Sequence, residues 1–331
     1  MKVKRILIIG SKENFTLEKM YKRAFVNLGH NVTFYHTHDI INSKISNLVE
    51  RLFSNFIYNK RRKLLFNFIK KKKIDLIIFV KGLYLSKNFL IDIKKLKSKE
   101  KIINIFPDNP LDLKSKNISN KNIIDCLEQF DLFCIWSQKI LREIKLLKNK
   151  TKLLYLPFAH DKYLHFRGKY NFKYKDKINF IGSYDKIRLE ILKKLNNKNI
   201  FIAGNNWENK IKNHGKHIFG KKLCSIIFSS QASLNLLRVQ NLGSHNMRTF
   251  EVPAMDGLLL TQRSNEQNKF FPEGKASLMF SNLNELKKKI LFIGKNPKKA
   301  LKIRKNGYRI AQKHTYTNRA KYILKKLYHD L

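Results

Sequence analysis

The 331-residue chain predicts an α/β fold built from two doubly wound parallel sheets. Three observations predict it. Short runs of Ile, Val, Leu and Phe alternate with longer amphipathic segments. The runs carry little charge, as strands buried on both faces of a parallel sheet do. The alternation also starts afresh in the second half, with no repeat of sequence. At roughly 100–200 residues per domain, the length suits two such domains.

In order, the first half predicts strands at 5–9, 32–36, 75–80, 102–106, 132–136 and 153–156. Helical patterns lie between them at 16–28, 44–71, 88–97 and 139–148, and Gly29 fits the position just past a helix end. Strand–helix alternation argues for a parallel, Rossmann-like sheet. Residues 161–177 are polar and aromatic without a clear period and read as a linker. The second half predicts strands at 178–181, 200–203, 217–219, 233–237, 258–261 and 278–280. Its helices are expected at 186–195, 223–229, 246–255, 284–293, 297–313 and 317–329, with Pro297 at a first helical position. The expected organisation is an N-terminal domain over 1–160, the linker, a second domain over 178–314, and a closing helix over 315–331 that packs back on the first domain. Ligands in such sheets bind at strand carboxyl ends, so two facing halves predict a cleft for two substrates.

Composition bounds the function classes. Lys and Arg number 69 against 24 Asp and Glu, a net charge of +45. Abundant Lys, Asn, Ile, Phe and Tyr together read as a coding bias. The scarcity of acids reads instead as a positive potential for anionic lipid, nucleic acid or acidic glycans. Basic stretches such as 60–63 and 70–73 suit peripheral contact with an anionic membrane, about 1 kcal/mol per Lys. A nucleic-acid binder would concentrate charge on one face with stacking aromatics. Here Lys is spread over every predicted helix, so nucleic acid is not the expected partner. Cys126, Cys134 and Cys224 sit in apolar surroundings without CxxC spacing and read as reduced core residues. No signal peptide or membrane span is expected, since residues 6–9 are too short an apolar run and 223–237 carries polar residues. The expected location is the cytoplasm, or the inner face of the membrane.

Several motifs fail. No GxGxxG occurs, and residues 215–222, GKHIFGKK, miss the P-loop at Lys222, where Ser or Thr would hold magnesium. No Asp-x-Asp pair occurs, so neither a metal-held diphosphate nor any other cofactor is expected.

One constellation survives, in SLNLLRVQNLGSHNMRTFEVPAMDGLLLT at 233–261. It reads as strand, loop, helix, turn, strand. Asn246 or Ser244 can cap the helix, whose free N–H groups suit an anion. Arg248 in its first turn can offer a bidentate cation to a diphosphate. Glu251, three residues on, shares that face. It is either a pair for Arg248, worth about 0.2–0.5 kcal/mol, or an acceptor for a ribose diol at roughly 1.5–3 kcal/mol per hydrogen bond.

The stretch RTFEVPAMDGLLLTQRSNEQNKFFPEGKASLMFSNLNEL resembles the C-terminal signature of CgeB-like (spore-maturation-protein type) glycosyltransferases, a branch of the GT-B group related to family 4 transferases. The resemblance continues through NPKKALKIRKNGYRIAQKHTYTNRAKYIL, takes in FIGSYDKIRLEIL at 180–192 and FPDNP at 106–110, and covers most of 178–324. It implies a GT-B glycosyltransferase that moves a sugar, of the hexosyl type, from a nucleoside-diphosphate sugar to a glycan, lipid-linked or protein hydroxyl. Retention of anomeric configuration is implied by family 4 alone. Glu251 then matches the glutamate on the donor ribose. Gly243 stands where family 4 carries another glutamate, and Asp256 stands where a small residue, usually Gly, precedes Gly257. Gly182 and Ser183 resemble the loop facing the donor phosphates, with Arg188 on the next helix, and Asn235 and Arg238 flank the donor loop. His314 and Arg319 match a segment that fixes the last helix. The acceptor side is expected in the first half, at Gly10, Ser11, Lys81 and Gly82. Asp108 and His160, at predicted strand ends, are the candidate catalytic bases. Two other readings stay open: a basic nucleic-acid-binding protein, and a sugar-nucleotide-fold scaffold without transferase activity.

Overall fold

The computed structural model describes residues 2–11, 13–36, 54–112, 120–147, 150–195, 199–216 and 218–328. The chain divides into two compact units, Met1–Pro157 with Thr317–Leu331, and Phe158–Tyr316.

The first unit carries β1 (Arg5–Gly10), α1 (Leu17–Asn27), β2 (Asn31–His36), α2 (Ser54–Lys70), β3 (Leu76–Val80), α3 (Lys87–Leu96), β4 (Lys101–Phe106), α4 (Asn120–Asp125), β5 (Leu132–Ile135), α5 (Gln138–Lys145) and β6 (Leu153–Tyr155). The strands form one parallel sheet in the order β2-β1-β3-β4-β5-β6. Its central strands are buried along nearly their whole length, from Ile6–Ile9 through Leu76–Val80 to Ile102–Phe106. That is why the sequence shows continuous apolar runs in place of alternation. Ser86 and Ser137 cap α3 and α5, each accepting a backbone N–H three residues on. Gly29, just past α1, has φ +82°, a left-handed stop that glycine adopts without strain.

The second unit carries β7 (Ile178–Ile181), α6 (Lys186–Leu195), β8 (Ile200–Ala203), α7 (Gly220–Ser229), β9 (Ala232–Asn235), α8 (Arg248–Ala254), β10 (Leu259–Gln262), α9 (Asn265–Phe270), β11 (Leu278–Phe280), α10 (Leu283–Lys295) and α11 (Pro297–Ala311). Its parallel sheet runs β11-β10-β9-β7-β8. The closing helix α12 (Tyr316–Tyr328) groups with the first unit, where Arg319 Nε donates to the Pro157 carbonyl at 2.8 Å. The α/β class and both doubly wound sheets are as the sequence predicts.

The differences are local. Residues 218–219 are not a strand, and 217 lies outside the described residues. Ile218 and Phe219 lead into α7, which starts at Gly220 rather than at Leu223. Residues 44–53 of the long predicted helix also lie outside the described residues. Residues 161–177, read as a linker, belong to the second unit. Asp256 explains itself once its backbone is seen. Its φ is +54°, so the position favours glycine. An aspartate is kept there because its buried carboxylate takes Arg167 at 2.9 Å and Arg304 at 3.2 Å.

Candidate functional site

Each sheet has one place where the winding direction reverses. In the first it lies between β1 and β3, and in the second between β7 and β9. Loops that follow such a pair of strands part to opposite faces and leave a crevice at the carboxyl ends. The residues singled out in the sequence, His160 apart, lie at or beside these two points.

At the second point, β7 ends in Ile181 and runs into Gly182–Ser183. Arg188, on α6, folds back under this loop. Its Nε and Nη2 donate to the Leu236 carbonyl just past β9, at 3.1 and 2.6 Å, and its Nη1 donates to the Ser183 carbonyl at 3.0 Å. Arg188 thus ties the ends of the two switch strands together. Burial pushes its guanidinium down to about 10, and Arg238 and Arg248 push the same way. Gly182 accepts from Trp207 Nε1 at 2.7 Å. The backbone of Gly204 comes so close that a Cβ there would lie 2.1 Å from the Gly182 carbonyl oxygen, so this approach requires glycine.

Arg248 opens α8 and donates from Nε to the Ile181 carbonyl at 3.3 Å. Its Nη1 pairs with Glu251 Oε2. The other oxygen of Glu251 receives Nε2 of His165 at 3.4 Å. His165 Nδ1 accepts the backbone N–H of Asp161, which leaves the proton on Nε2, facing the carboxylate. The pair is therefore present, but it is not the solvated helix-face pair of one reading: the Glu251 side chain is 5% exposed and that of Arg248 24%. Burial alone would raise the Glu251 carboxyl. Arg248 first and His165 second outweigh it and hold the group below the ordinary carboxylate value.

Asn235, at the end of β9, anchors the loop that leads to α8. Its amide donates to Asn246 Oδ1 at 3.1 Å and Thr261 Oγ1 at 3.2 Å, and Asn246 returns a hydrogen bond at 2.8 Å. Asn246 Oδ1 also accepts the Thr249 N–H at 3.2 Å, which makes Asn246 the side-chain cap. Ser244 instead donates to Glu266 at 2.8 Å. Thr249 and Thr261 both donate to Gln267 Oε1, at 2.8 and 3.0 Å. Gly243 has φ +79°, so the glutamate that family 4 carries there would be strained at this backbone. Arg238 is exposed at the same strand ends.

Sequence reasoning missed the polar residues beneath this loop: His165, His245, Thr261, Glu266 and Gln267. His245 is fully buried, with Nδ1 3.0 Å from Glu266 Oε2 and Nε2 accepting the Phe158 N–H at 3.2 Å. One signal was available. Ser264-Asn265-Glu266-Gln267 has the spacing of a capping box, and Ser264 Oγ does accept the Gln267 N–H at 3.1 Å.

His160 also lies in the second unit, 1% exposed. Nε2 meets the Ala311 carbonyl at 3.1 Å, while buried Nδ1 has no hydrogen-bond partner among the described residues. Burial pushes the imidazole down to about 3, with His165 acting in the same direction. His314 packs against Phe250, Phe270 and Phe271, each ring centroid within 6 Å.

At the first switch point, Gly10 ends β1 under Glu18, whose carboxylate accepts the Ser11 N–H at 3.0 Å. A Cβ at Gly10 would lie 2.5 Å from Glu18 Cγ. β3 ends in Lys81 and Gly82, both left-handed, at φ +65° and +74°. For lysine this backbone is strained, a condition that recurs at functional loops. Asn104 donates to the Lys81 carbonyl at 3.2 Å, and Lys81 Nζ pairs with Asp108 Oδ2 at 2.7 Å. The buried Asn104 Oδ1 has no partner among the described residues. The structure thus brings Lys81, Gly82 and Asp108 together, while His160 stands in the other unit.

Comparison with known proteins follows this geometry. A family model described as glycosyl transferase-like matches residues 188–325. No curated protein matches the sequence. Among solved structures, a sucrose-phosphate synthase from Thermosynechococcus elongatus aligns with TM-score 0.70 at 10% identity, over 99% of this chain and 100% of that one. Anabaena HepE in complex with UDP-glucose aligns with TM-score 0.61 at 11% identity, over 99% and 100%. The N-terminal domain of Candida albicans trehalose-6-phosphate phosphatase gives 0.68 at 11%, over 99% and 97%. The chain has the GT-B fold, and its residues 188–325, which hold Arg188, Arg238, Arg248 and Glu251, are similar to the family described as glycosyl transferase-like.

Proposed function

We propose that the protein is a glycosyltransferase of the CgeB-like branch whose second unit binds a nucleoside-diphosphate sugar at the β7/β9 switch point. The observation that carries this reading is the buried Arg248–Glu251 pair set against the end of β7, inside the matched domain. HepE, similar in fold, has been solved with UDP-glucose. In the proposed complex Arg248 exchanges Glu251 for a phosphate oxygen, and Glu251, held ionised, takes the ribose hydroxyls. Arg238, exposed beside them, faces the diphosphate. Arg188 positions the Gly182–Ser183 loop, since its donors are committed to backbone carbonyls. α8 is seven residues long, so the cationic side chains carry more of the anion binding than the helix terminus does.

These cations stabilise the departing diphosphate in place of a metal; as its bond to the anomeric carbon of the hexosyl group breaks, the acceptor oxygen bonds to that carbon on the same face, which retains the configuration. The first unit takes a glycan or lipid-linked hydroxyl at Gly10–Ser11 and Lys81–Gly82, with Asp108 as the base. Lys81 Nζ, 2.7 Å from Asp108 Oδ2, holds that carboxylate in place to accept the proton. His160, 1% exposed, holds backbone in this reading.

Calorimetry with nucleoside diphosphates tests the donor site. Glu251→Gln keeps the shape of the buried group and removes the charge. It is expected to lower nucleoside-diphosphate-sugar affinity at least tenfold, as loss of one charged hydrogen bond of about 1.5–3 kcal/mol does. Unchanged affinity in a folded variant refutes the assignment.

A further inference from the structure

We propose that residues 162–175, laid along α7, dock the protein onto a membrane surface that contains anionic lipid. This surface belongs to the second unit and is separate from both strand-end sites.

The segment is fastened to α7 by its backbone. The Leu164 carbonyl accepts Cys224 Sγ at 3.3 Å, the Lys169 carbonyl accepts Ser225 Oγ at 2.7 Å, and the Asn171 N–H donates to Ser229 Oγ at 2.8 Å. Gly168 allows this contact. A Cβ there would lie 2.4 Å from the backbone of Cys224, so only glycine lets the segment lie flat on the helix. With Leu164 turned inward, the aromatic side chains on either side are left in water. Tyr163 is 75% exposed, Tyr170 56% and Phe172 73%, with Phe166 and Phe219, the residue before α7, also exposed. Elsewhere the described exposed apolar side chains are mostly aliphatic and scattered, which needs no explanation. A run of aromatics in one short segment does.

Their neighbours supply the second half of the argument. Lys162, Lys169, Lys173, Lys221 and Lys222 have no ion pair among the described residues, and Lys175 lies over the Phe172 ring at 5.1 Å. Between residues 162 and 175 there is no acid to neutralise them. Aromatic rings flanked by lysines suit the bilayer boundary, where rings enter the headgroup level and ammonium groups meet lipid phosphates. Among the described residues no helix is long and apolar enough to cross a membrane, so the contact is with its surface. Nucleic acid also uses basic and aromatic residues, but it stacks bases on platforms lining a groove. Here the rings project from a segment of turns and irregular chain, with one 3-10 turn at Phe172–Tyr174, that itself lies over a helix and lines no groove.

Sedimentation of the full-length protein with vesicles tests this. Vesicles of equal parts phosphatidylcholine and phosphatidylglycerol are expected to bind it, pure phosphatidylcholine vesicles weakly. Replacing Tyr163, Tyr170 and Phe172 by Ser together is expected to weaken partition at least about tenfold. Lys169→Gln with Lys173→Gln is expected to weaken it about fivefold per lysine at low salt. Lys94→Gln with Lys95→Gln, on α3, serves as the control and is expected to leave partition unchanged. Phe172→Trp gives a second readout, a blue shift of emission with anionic vesicles, against the constant background of buried Trp136 and Trp207. Equal partition of the aromatic variant and wild type, control variants that lose binding instead, or no binding to anionic vesicles overturns the proposal. So does loss of single-stranded RNA retention in the aromatic variant with vesicle partition intact, which would assign the surface to nucleic acid.

Discussion

The two switch points are built to the same plan and held to different degrees. At the β7/β9 point every polar side chain beneath the loop has buried partners, in a chain from Asn235 through Asn246, Thr249 and Thr261 to Gln267. At the β1/β3 point the Lys81–Asp108 pair is about one-third exposed on each side, the backbone is strained, and Asn104 Oδ1 has no partner among the described residues. A satisfied buried network costs little to keep in one arrangement and much to disturb. The half-exposed side can change partners at little cost. The contrast suits the proposed roles: one fixed nucleotide for the second unit, and for the first a hydroxyl set in varied surroundings.

The comparison breaks most readily at Glu251. Glu251→Ala leaves Arg248 and His165 without their carboxylate, and the loss is expected to be about 3–5 kcal/mol. Denaturant unfolding should show it, together with loss of nucleotide binding. Glu251→Gln is expected to lose less stability and still lose affinity. Gln267→Ala removes the acceptor shared by two threonine hydroxyls, leaves each only a 3.3 Å alternative at Asn246 and Asn235, and opens a cavity where no charge is involved. About 2–4 kcal/mol is expected from thermal melts. A second unit as tolerant of this change as an exposed loop would erase the contrast.

Acid sharpens it. The folded His160 imidazole titrates near 3 against an ordinary 6.5. Between those values the unfolded chain binds a proton that the native state excludes. Stability therefore falls as pH falls, by up to about 1.4 kcal/mol per pH unit for this group. Glu251, also held low, adds to the loss only below its ordinary value of 4.5. His160→Asn is expected to make the fall of melting temperature between pH 6.5 and 4.5 shallower, with His30, also held low by burial, still contributing, and to leave the steeper fall below it. Equal slopes for variant and wild type would remove His160 as the cause.

The smallest stability change belongs to the first unit. Asp108→Asn breaks a pair worth about 0–1 kcal/mol at this exposure. Its melt should hardly move, while transfer to an acceptor should drop by a hundredfold or more if Asp108 accepts the proton. A large melting shift with intact transfer would reverse the roles given to the two sides.

Much of the fold was legible because buried parallel strands write themselves as apolar runs. All six strands of the first sheet fall within a residue or so of their predicted bounds. The error at 217–219 has the same origin, since a short apolar stretch carries no period that separates a strand from the approach to a helix. The site was legible in Arg248 and Glu251, whose spacing on one helical face is local. His165 and His245 were not, because their partners lie 86 and 21 residues away, at Glu251 and Glu266. Arg188 shows the limit from the other side. The resemblance sets Arg188 on the helix after the donor-phosphate loop, and nothing local in the sequence tells that its guanidinium is buried on main-chain carbonyls.

The second unit is one unbroken stretch of chain, and its ends are joined. His160 N–H donates to the His314 carbonyl and Tyr316 N–H to that of His160, both at 3.0 Å, with a parallel bridge between His160 and Thr315. In sequence the first unit is therefore a host and the second a guest inserted through a single doorway. An insertion of this kind can be cut out without leaving loose ends, so residues 158–316 are expected to fold when expressed alone. The first unit, rejoined from Pro157 to Thr317 by a short linker, would test whether its own halves still find each other.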